Sequence, residues 1–472
     1  MKLGSSDHLL CYNAFAMPNP RYFLQIYGCQ MNYSDAERIS SLLEELNFWR
    51  TEKEAEADLI VVVACSIRQK AVDRIHGKAV TWKKIRSGRR FVTALSGCVL
   101  PTDRTTLESV FDIFFDMKDL NSLPEKLSQY FEDLKDPAVS EDHYRIQPKY
   151  SSSFQAYVPI ATGCNNFCTF CVVPYTRGRE KSRPAEQIIN EVESLLNRGY
   201  KEIVLVGQNV NSYGLDMLPP RLVTTEGSLR FNDRKPEVSF PDLLRQIAQL
   251  PGRFWIRFLT SNPQDMSDEL LDVVAEEPNC TPYIHLPIQA GDDEMLKRMN
   301  RRHTVAHYRE LVDKIRARIP GVAITTDVIV GFCGETEAQF HNTLQLFSDV
   351  KYDMAYTAQY SHRSGTAAFK AMVDDVPASV KIDREIRLTD VLRQGALERN
   401  SVYVGTTQTV LIDKFRNGFN LGKTDTFKTV KIPHDQDLRG RFVSAEITKA
   451  EPWGLAGKLI NDNVTARGEA TS

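Results

Sequence analysis

Apolar runs and amphipathic stretches alternate along residues 21–131. Four runs are rich in β-branched and aromatic residues, which is typical of buried strands, and they read YFLQIY, DLIVVVA, RFVTALS and FDIFFD. Between the first two, SDAERISSLLEEL places three leucines on one helical face and offers Ser34 or Asp35 as the expected N-cap. This alternation predicts an open parallel α/β sheet.

The alternation resumes between residues 154 and 378, after a polar stretch at 131–153 that lacks periodicity and is predicted to be a linker. Six strand candidates occur there: FQAYVPIA, EIVLVG, FWIRFL, YIHLP, AITTDVIVGF and MAYTAQY. Helices such as PAEQIINEVESLLNRG and HYRELVDKIRARI separate them. Six β/α units predict an incomplete barrel with its chemistry at the carboxyl ends of the strands. The charged, proline-containing stretch 215–238 is predicted to be a surface insertion.

A helix is predicted over residues 379–400, and the pattern changes after it. Residues 401–466 contain short strands, TQTVLID, KTVKIP and RFVSAEITKAE, separated by Gly and Asn turns. This region is predicted to form a small antiparallel β-barrel of the oligonucleotide-binding kind.

Composition is that of an ordinary globular protein, with 472 residues of which 42% are hydrophobic and 25% are charged. The net charge of −2 does not by itself indicate a nucleic-acid partner, so such a partner would have to use local basic patches. No apolar run reaches the length of about 20 residues that a membrane helix needs. The first residues also lack the pattern of a targeting segment, and a cytoplasmic protein without a membrane partner is expected.

Nine cysteines, an odd number in a large chain, indicate reduced thiols and argue against a disulfide framework. Three of them lie close together in GCNNFCTFC, at Cys164, Cys168 and Cys171. A structural zinc site normally has four ligands, and no fourth Cys or His lies nearby. Three thiolates instead suit a four-iron cluster with one iron left open for another ligand.

Three further cysteines, Cys29, Cys65 and Cys98, each follow a predicted strand of the first region. The carboxyl ends of parallel strands meet at one edge of a sheet, so these thiols are expected to gather there. Each one alone would more often be a small core residue, because free cysteine is commonly buried. Taken together, their equivalent positions favour a ligand role.

The close triplet beside a six-unit barrel resembles the radical S-adenosylmethionine superfamily, and Phe170 matches an aromatic residue favoured there. In that superfamily the open iron chelates the amino and carboxylate groups of S-adenosylmethionine. An electron from the cluster then cleaves the sulfonium bond and yields a 5′-deoxyadenosyl radical. The resemblance thus implies a catalytic cluster held by Cys164, Cys168 and Cys171.

The segments YGCQMNYSDAE, ACSIRQKA and SGCV resemble the amino-terminal domain of methylthiotransferases. That likeness implies a second 4Fe-4S cluster on Cys29, Cys65 and Cys98. VVPYTRGREKSRP, VLVGQNVNSYG, YIHLPIQAGDDEMLKRMNRRHT and TTDVIVGFCGETE are similar to the same family, and the terminal region resembles its TRAM domain. The implied fold is a flavodoxin-like sheet, a partial (β/α)6 radical-SAM barrel and a TRAM β-barrel.

GCQMNYSDAE with CSIRQKA is most similar to MiaB-type tRNA methylthiotransferases. The resemblance implies methylthiolation at C2 of N6-isopentenyladenosine at position 37 of tRNA, with two 4Fe-4S clusters and S-adenosylmethionine. The implied partners are the tRNA anticodon stem-loop and an electron donor such as flavodoxin or ferredoxin. Open alternatives are a sibling acting on threonylcarbamoyladenosine-37 or on an aspartate of ribosomal protein S12, and a non-enzymatic RNA-binding iron-sulfur carrier.

Further site residues follow from the same resemblance. The residues expected to contact the cosubstrate are Phe170, Gly207, Gln208, Asn209, His285 and Gln289. A polar strand end is the alternative for the GQN segment, and a satisfied core histidine is the alternative for His285. RNA-binding candidates are Arg177, Arg179, Arg301 and Arg302, although a solvated charged surface remains the alternative.

Several positions depart from the family pattern or match no cluster position. Cys333 stands where the family usually has Pro and is expected to be a packing substitution. Ala290 and Asp292 replace serines often seen after the HLPxQ segment. Cys11 and Cys280 match no cluster position and are expected to be structural or incidental.

Overall fold

The computed structural model of the protein describes residues 19–65, 69–86, 88–132, 134–135, 143–218 and 236–460. The chain divides into two compact units, Met1–Ser151 and Ser152–Ser472. Cys11 and most of the expected surface insertion lie outside the described residues. None of the described helices combines the length and the apolar character needed to cross a membrane.

The first unit is built on a five-stranded parallel sheet with the spatial order β2-β1-β3-β4-β5. Its strands are β1 (Arg21–Tyr27), β2 (Trp49–Arg50), β3 (Leu59–Cys65), β4 (Val92–Cys98) and β5 (Ile113–Phe114). This order is that of flavodoxin-like folds, so the predicted open parallel sheet is confirmed. The two-residue strand β2 carries too short a pattern to be recognised from sequence.

Helices cover both faces of this sheet. They are α1 (Gln30–Glu45), α2 (Gln69–Arg86), α3 (Pro101–Leu107) and α4 (Leu123–Ser128). Val61 and Val63 of β3 pack into one apolar core, whereas Ile60 and Val62 pack into a second core on the opposite face. A strand buried on both faces needs apolar residues at every position, which explains the unbroken run LIVVVAC.

Two expectations for the first unit are wrong in detail. Helix α1 begins at Gln30 with Cys29 as its N-cap, so neither Ser34 nor Asp35 caps it. The expected linker also contributes to the first unit, because Ile146 lies in its core. Ser151 donates hydrogen bonds from its N–H and its hydroxyl to Glu37 Oε1, at 2.8 and 2.7 Å.

The second unit begins with an arc of six parallel strands and a short antiparallel pair. Its strands are β6 (Gln155–Pro159), β7 (Ala161–Thr162), β8 (Lys181–Ser182), β9 (Glu202–Val206), β10 (Trp255–Phe258), β11 (Tyr283–His285), β12 (Ala323–Val330) and β13 (Met354–Gln359). One sheet has the order β10-β9-β6 and another has the order β11-β12-β13, and a parallel bridge between Ile256 and Cys280 joins them. All six predicted barrel strands are present, and β7 and β8 form a short antiparallel pair beside them.

Helices pack around this arc of strands. They are α5 (Val173–Thr176), α6 (Ala185–Asn197), α7 (Phe240–Ala248), α8 (Asp268–Glu276), α9 (Asp293–Arg298), α10 (Val305–Arg318), α11 (Glu337–Val350), α12 (Ala367–Ala371) and α13 (Ala378–Ser401). The predicted helix 379–400 is therefore α13. Asp292 is the N-cap of α9, where its carboxylate accepts the N–H groups of Glu294 and Met295. Serine could cap the helix equally well, but the second carboxylate oxygen of Asp292 also accepts from Asn342 Nδ2 at 2.8 Å.

The chain ends in a closed five-stranded barrel. Its strands are β14 (Thr407–Arg416), β15 (Phe419–Thr424), β16 (Thr429–Pro433), β17 (Phe442–Glu451) and β18 (Gly454–Leu459), in the order β14-β15-β16-β18-β17. Four pairings are antiparallel, and the pairing of β16 with β18 is parallel. The predicted small barrel is confirmed, and closure leaves it without free sheet edges.

Buried ionic contacts attach this barrel to the strands of the second unit. Arg257 on β10 forms an ion pair with Glu202 on β9 and donates to the backbone carbonyl oxygen of Thr424 at 2.7 Å. Lys428 Nζ lies 2.6 Å from Asp353 Oδ1, which precedes β13. The barrel is therefore fixed on the β/α strands by directional contacts.

Candidate iron-sulfur and cosubstrate site

The loop that carries Cys164, Cys168 and Cys171 begins after β7, beside the end of β6. Gly163 has φ +79°, and a Cβ atom there would overlap the backbone of Arg179, so the close approach of the two segments requires glycine. The Cys164 N–H donates to Gly178 O at 3.2 Å, and the Cys171 N–H donates to Cys168 O at 3.0 Å. Backbone hydrogen bonds within the loop and to Gly178 therefore fix the shape of the loop.

A second segment, at the end of α9, holds the same loop from another side. Thr169 N–H donates to Met299 O at 3.1 Å, and Thr169 Oγ1 donates to Arg298 O at 2.9 Å. Asn300, in the left-handed region at φ +57°, donates from Nδ2 to the Phe167 carbonyl oxygen at 2.9 Å. We call residues 298–301 the loop clamp.

The three thiols differ in their surroundings. Cys164 is buried, whereas Cys168 and Cys171 are half-buried. Burial raises the pKa of the Cys164 thiol to about 11, and the nearby charges of Cys168 and Glu180 act in the same direction. The Cys168 Sγ accepts a hydrogen bond from Arg301 Nη1 at 3.4 Å. A metal that binds Cys164 must therefore displace its proton, as iron does when it binds a thiolate.

Two carboxyl groups with little solvent contact, the buried Glu180 and the half-buried Asp265, were not indicated by any sequence motif. Burial raises the pKa of Glu180 to about 8, and its Oε1 accepts a hydrogen bond from Ser212 Oγ at 2.7 Å. Burial also raises the pKa of Asp265, whose Oδ2 accepts from Asn209 Nδ2 at 2.8 Å. The charge of Asp265 adds to the rise in the pKa of Glu180. An ammonium group would be favoured beside this pair.

The predicted residues Gly207, Gln208 and Asn209 lie at the carboxyl end of β9 and have different contacts. The Gly207 carbonyl oxygen accepts from Thr260 Oγ1 at 2.9 Å. Gln208 Oε1 accepts the Gly163 N–H at 2.5 Å and so ties this strand end to the cysteine loop. Asn209 Oδ1 is buried and has no hydrogen-bond partner among the described residues. Such an atom is available to a bound donor.

His285 and Gln289 lie at the end of β11. The His285 ring is buried, with Nδ1 2.9 Å from Thr325 Oγ1 and Nε2 3.3 Å from Asp327 Oδ2. Both ring nitrogens thus have protein partners. Gln289 adopts φ +74°, a conformation that is uncommon for residues other than glycine. Its backbone pairs with β12 on both sides, which holds that conformation in place.

The remaining predicted residues surround the cysteine loop. The Phe170 ring is half-buried and packs edge-on against Phe332, at 6.5 Å between centroids. Arg179 and Arg302 are exposed, and the Arg179 guanidinium lies over the Phe167 ring at 4.3 Å. Arg177 and Arg301 are half-buried and are therefore less accessible to RNA than Arg179 and Arg302.

The dispersed cysteines occupy equivalent strand ends in the first unit. Cys65 and Cys98 are register partners at the ends of β3 and β4, and Cys29 lies two residues beyond β1, the other neighbour of β3. Cys29 is exposed, whereas Cys65 and Cys98 are buried. Asn32 is fully buried beside them, and its Oδ1 accepts hydrogen bonds from the N–H and Sγ of Cys29 at 3.1 and 3.5 Å.

Both triplets have the chemistry that iron-sulfur clusters need. The eight cysteines in the described ranges are thiols, not disulfides. In the same ranges no three His, Cys, Asp or Glu side chains converge on a point where a single metal ion would bind. A four-iron cluster binds each thiolate through a different iron atom, so its ligands surround a cube and need no common point. The three-thiol sets therefore fit clusters better than a mononuclear zinc ion.

Cys280 and Cys333 have structural surroundings. Burial raises the pKa of Cys280 to about 12, and its backbone bridges to Ile256. Cys333 is also buried, and burial raises its pKa. Both residues are packed in the protein interior, and the expectation that their roles are structural stays a prediction.

Family models match three parts of the chain. The Radical SAM superfamily matches residues 158–347, which include the close cysteine triplet. Uncharacterized protein family UPF0004 matches residues 21–115, which include the dispersed triplet, and the TRAM domain matches residues 401–460.

Two relatives match almost the whole length of the chain. The tRNA-2-methylthio-N(6)-dimethylallyladenosine synthase of Thermoanaerobacter pseudethanolicus is 36% identical over 457 residues, 94% of this chain and 93% of that protein. The synthase of the same name from Clostridium botulinum is 37% identical over 459 residues, 93% of this chain and 97% of that protein. Among solved structures, the radical S-adenosylmethionine methyltransferase TsrM from Kitasatospora setae matches 72% of this chain and 75% of its own, with 13% identity and a TM-score of 0.48.

The identity to these synthases extends through both cysteine-bearing regions and the terminal barrel. It exceeds one third over nearly the full length of both partners. The chain therefore belongs to the MiaB-type methylthiotransferase family of radical S-adenosylmethionine enzymes.

Proposed function

We propose that the protein methylthiolates C2 of N6-isopentenyladenosine at position 37 of tRNA, with S-adenosylmethionine as cosubstrate and two 4Fe-4S clusters as cofactors. The observation that carries this proposal is the identity to tRNA-2-methylthio-N(6)-dimethylallyladenosine synthases over 94% of the chain. Adenine C2 carries neither an acidic proton nor a leaving group, so acid-base chemistry is inadequate there. A carbon-centred radical is competent to replace its hydrogen.

Cys164, Cys168 and Cys171 would hold the radical-generating cluster, and Cys29, Cys65 and Cys98 would hold the auxiliary one. When bound, the first cluster would supply the electron that cleaves the sulfonium bond. The auxiliary cluster would supply a site for the sulfur atom that is transferred. The role of this chain is to keep three thiolates on each cluster and leave one iron open. Gly163 and the loop clamp support the first loop, and Asn32 supports the second.

The buried Glu180 and the half-buried Asp265 would provide a site for the ammonium group of S-adenosylmethionine. Their raised pKa values indicate that burial disfavours the charged forms until a cation arrives. Asn209 Oδ1, which is buried and unpaired within the described residues, offers a further acceptor for an N–H of the same ligand. The half-buried Phe170 would pack beside the cluster.

For tRNA, Arg179 and Arg302 are the better-placed candidates, because both are exposed. Arg179 lies over Phe167 of the cysteine loop, and Arg302 directly follows Arg301, which contacts Cys168. The Arg179 guanidinium, stacked on Phe167, can bind a phosphate without first ordering a flexible side chain. Arg177 remains a candidate with lower accessibility. The terminal barrel would hold the RNA backbone, and the target base would leave its loop at a cost of at most a few kcal/mol.

The reductant is proposed to be a low-potential one-electron protein such as flavodoxin or ferredoxin. Plant-type ferredoxins, which work near about −400 mV, have the required reducing strength. We place the reaction in the cytoplasm, where thiols remain reduced and tRNA is modified.

The test is nucleoside analysis of tRNA from cells that lack the protein and from complemented cells. We expect the 2-methylthio derivative of N6-isopentenyladenosine to disappear and to return on complementation. An unchanged level, with loss of a methylthio derivative of threonylcarbamoyladenosine or of ribosomal protein S12, would instead assign the protein to a sibling activity.

A second measurement separates an enzyme from an iron-sulfur carrier. Anaerobic reduction of the reconstituted protein with S-adenosylmethionine should release 5′-deoxyadenosine. The Cys164→Ala, Cys168→Ala, Cys171→Ala variant is the control and should release none. Absence of this product from wild-type protein with a full cluster complement would support the carrier.

A further inference from the structure

We propose that Arg301 is a positioning residue for the radical-generating cluster. In this proposal its guanidinium donates a hydrogen bond to the Cys168 thiolate and raises the reduction potential of the cluster. The inference rests on the ligand set proposed above for that cluster. It gives Arg301 a role different from the RNA contact that its sequence context suggested.

The contacts of Arg301 fix its guanidinium beside the cysteine loop. Nη1 lies 3.4 Å from Cys168 Sγ, within the range of an N–H···S hydrogen bond. Nη2 donates to the Pro287 carbonyl oxygen at 3.0 Å and lies 3.4 Å from Asn262 Oδ1. The Arg301 backbone N–H donates to Leu296 O at 2.8 Å. Movement of this side chain outward to RNA would break three side-chain contacts.

The loop clamp fixes the distance between Arg301 and the thiol. Thr169, next to Cys168, is bonded to the backbone of residues 298 and 299, and Asn300 binds the Phe167 carbonyl oxygen on the other side of Cys168. The donor and its acceptor therefore belong to segments that are already tied together. Because both segments are already fixed, the hydrogen bond between Arg301 and Cys168 costs little conformational entropy when it forms.

The charge of Arg301 determines the direction of its effect. Reduction adds one negative charge to a cluster that already carries three thiolates, and hydrogen bonds to the sulfurs are known to set the potential of such clusters. A cationic donor stabilises the more negative state more strongly. Loss of the donor should therefore make reduction harder and shift the potential to a more negative value.

The experiment is a redox titration of the full-length reconstituted protein, followed by the electron paramagnetic resonance signal of the reduced cluster without tRNA. We expect Arg301→Gln to lower the equilibrium constant for one-electron reduction about tenfold, which corresponds to about 59 mV. Arg301→Lys, which keeps the charge but loses the forked donor, should shift the potential by a smaller amount. The same titration in the Cys29→Ala, Cys65→Ala, Cys98→Ala background assigns the signal to the correct cluster.

Arg302→Gln is the matched control, because it removes an exposed charge at the next position. It should leave the potential at the wild-type value. A wild-type potential in Arg301→Gln would overturn the proposal. If Arg301→Gln binds no cluster, Arg301→Lys takes its place, and a wild-type potential in Arg301→Lys would overturn the proposal. An unchanged potential combined with weaker binding of S-adenosylmethionine would instead make Arg301 a cosubstrate contact. The titration requires no methylthiolation activity, so failure of the tRNA assay would leave its result intact.

Discussion

The side chain of Asn32 occupies the space that a side chain at Gly28 would need. A Cβ atom at Gly28 would overlap the Asn32 carboxamide, and one at Gly97 would overlap the Ala64 backbone and lie 3.1 Å from Asn32 Nδ2. Gly28, Ala64 and Gly97 directly precede Cys29, Cys65 and Cys98 in the chain. Asn32 thus contacts or adjoins the backbone at all three strand ends that carry the dispersed thiols.

Replacement of Asn32 by Ala should reduce occupancy of the auxiliary cluster. The Cys29 N–H would lose its acceptor, and the three strand ends would lose the buried group that spaces them. We expect a loss of about 1–3 kcal/mol in stability of the first unit, as for other buried hydrogen-bonding groups. Iron and sulfide analysis after reconstitution should give about half of the wild-type content.

Gln30→Ala is the control for that variant, because Gln30 is exposed and directly follows Cys29. It should keep the wild-type iron content. Full iron in Asn32→Ala, measured on folded protein, would show that the three strand ends hold their spacing without this carboxamide.

The two cysteine triplets should each account for about half of the iron. The Cys164→Ala, Cys168→Ala, Cys171→Ala variant removes one set of thiolates and leaves the other unit's set untouched, since the two sets belong to different compact units. Replacement of Cys29, Cys65 and Cys98 by Ala should have an effect of the same size. Iron content per chain is the measurement, and Cys280→Ala should retain all of it. Loss of all iron from either triple variant would contradict two independent clusters.

Most of the fold could be predicted because its strands carry dense local signals. The all-apolar run of β3 and the six barrel strands are recognisable from their β-branched, aromatic and other apolar residues, and their alternation with helices indicates parallel sheets. Helix α1 shows where this reasoning fails. Its N-cap is decided by the pairing of Cys29 with Asn32, which depends on folded geometry as well as residue type.

The cysteines could be predicted to belong together because metal chemistry restricts the residue types involved. Glu180 and Asp265 could not, because a carboxylate on a loop is usually solvated, and only the fold buries Glu180 and half-buries Asp265. Arg301 was indistinguishable in sequence from its neighbour Arg302. The fold turns one of them towards Cys168 and leaves the other exposed.

Arg257→Leu should weaken attachment of the terminal barrel. The variant leaves Glu202 buried without its cationic partner and removes the donor to the Thr424 carbonyl oxygen, a combination that typically costs about 3–5 kcal/mol. We expect a lower thermal unfolding midpoint and faster proteolysis between α13 and β14. Arg253→Leu removes an exposed arginine that lies over the Phe442 ring and should cause a much smaller change.

His303 should make the protein less stable in mild acid. Burial lowers the pKa of this imidazole to about 3, and the charges of Arg301 and His307 act in the same direction. Between about pH 3 and 6.5 the unfolded chain therefore binds a proton at this position that the folded chain does not bind. Stability is lost as the pH falls below 6.5, and by pH 5 the contribution is about 2 kcal/mol.

The measurement is the urea midpoint of the cluster-free protein at pH 7 and at pH 5. His303→Gln carries no titrating ring, so its midpoint should fall less between these two pH values than that of the wild type. His307→Gln is the matched control, because His307 is exposed and its removal should preserve most of the wild-type pH dependence. Other buried acids titrate equally in all three proteins, so the difference between them isolates His303. Equal falls in wild type and His303→Gln would mean that this ring is protonated in the folded protein at pH 5.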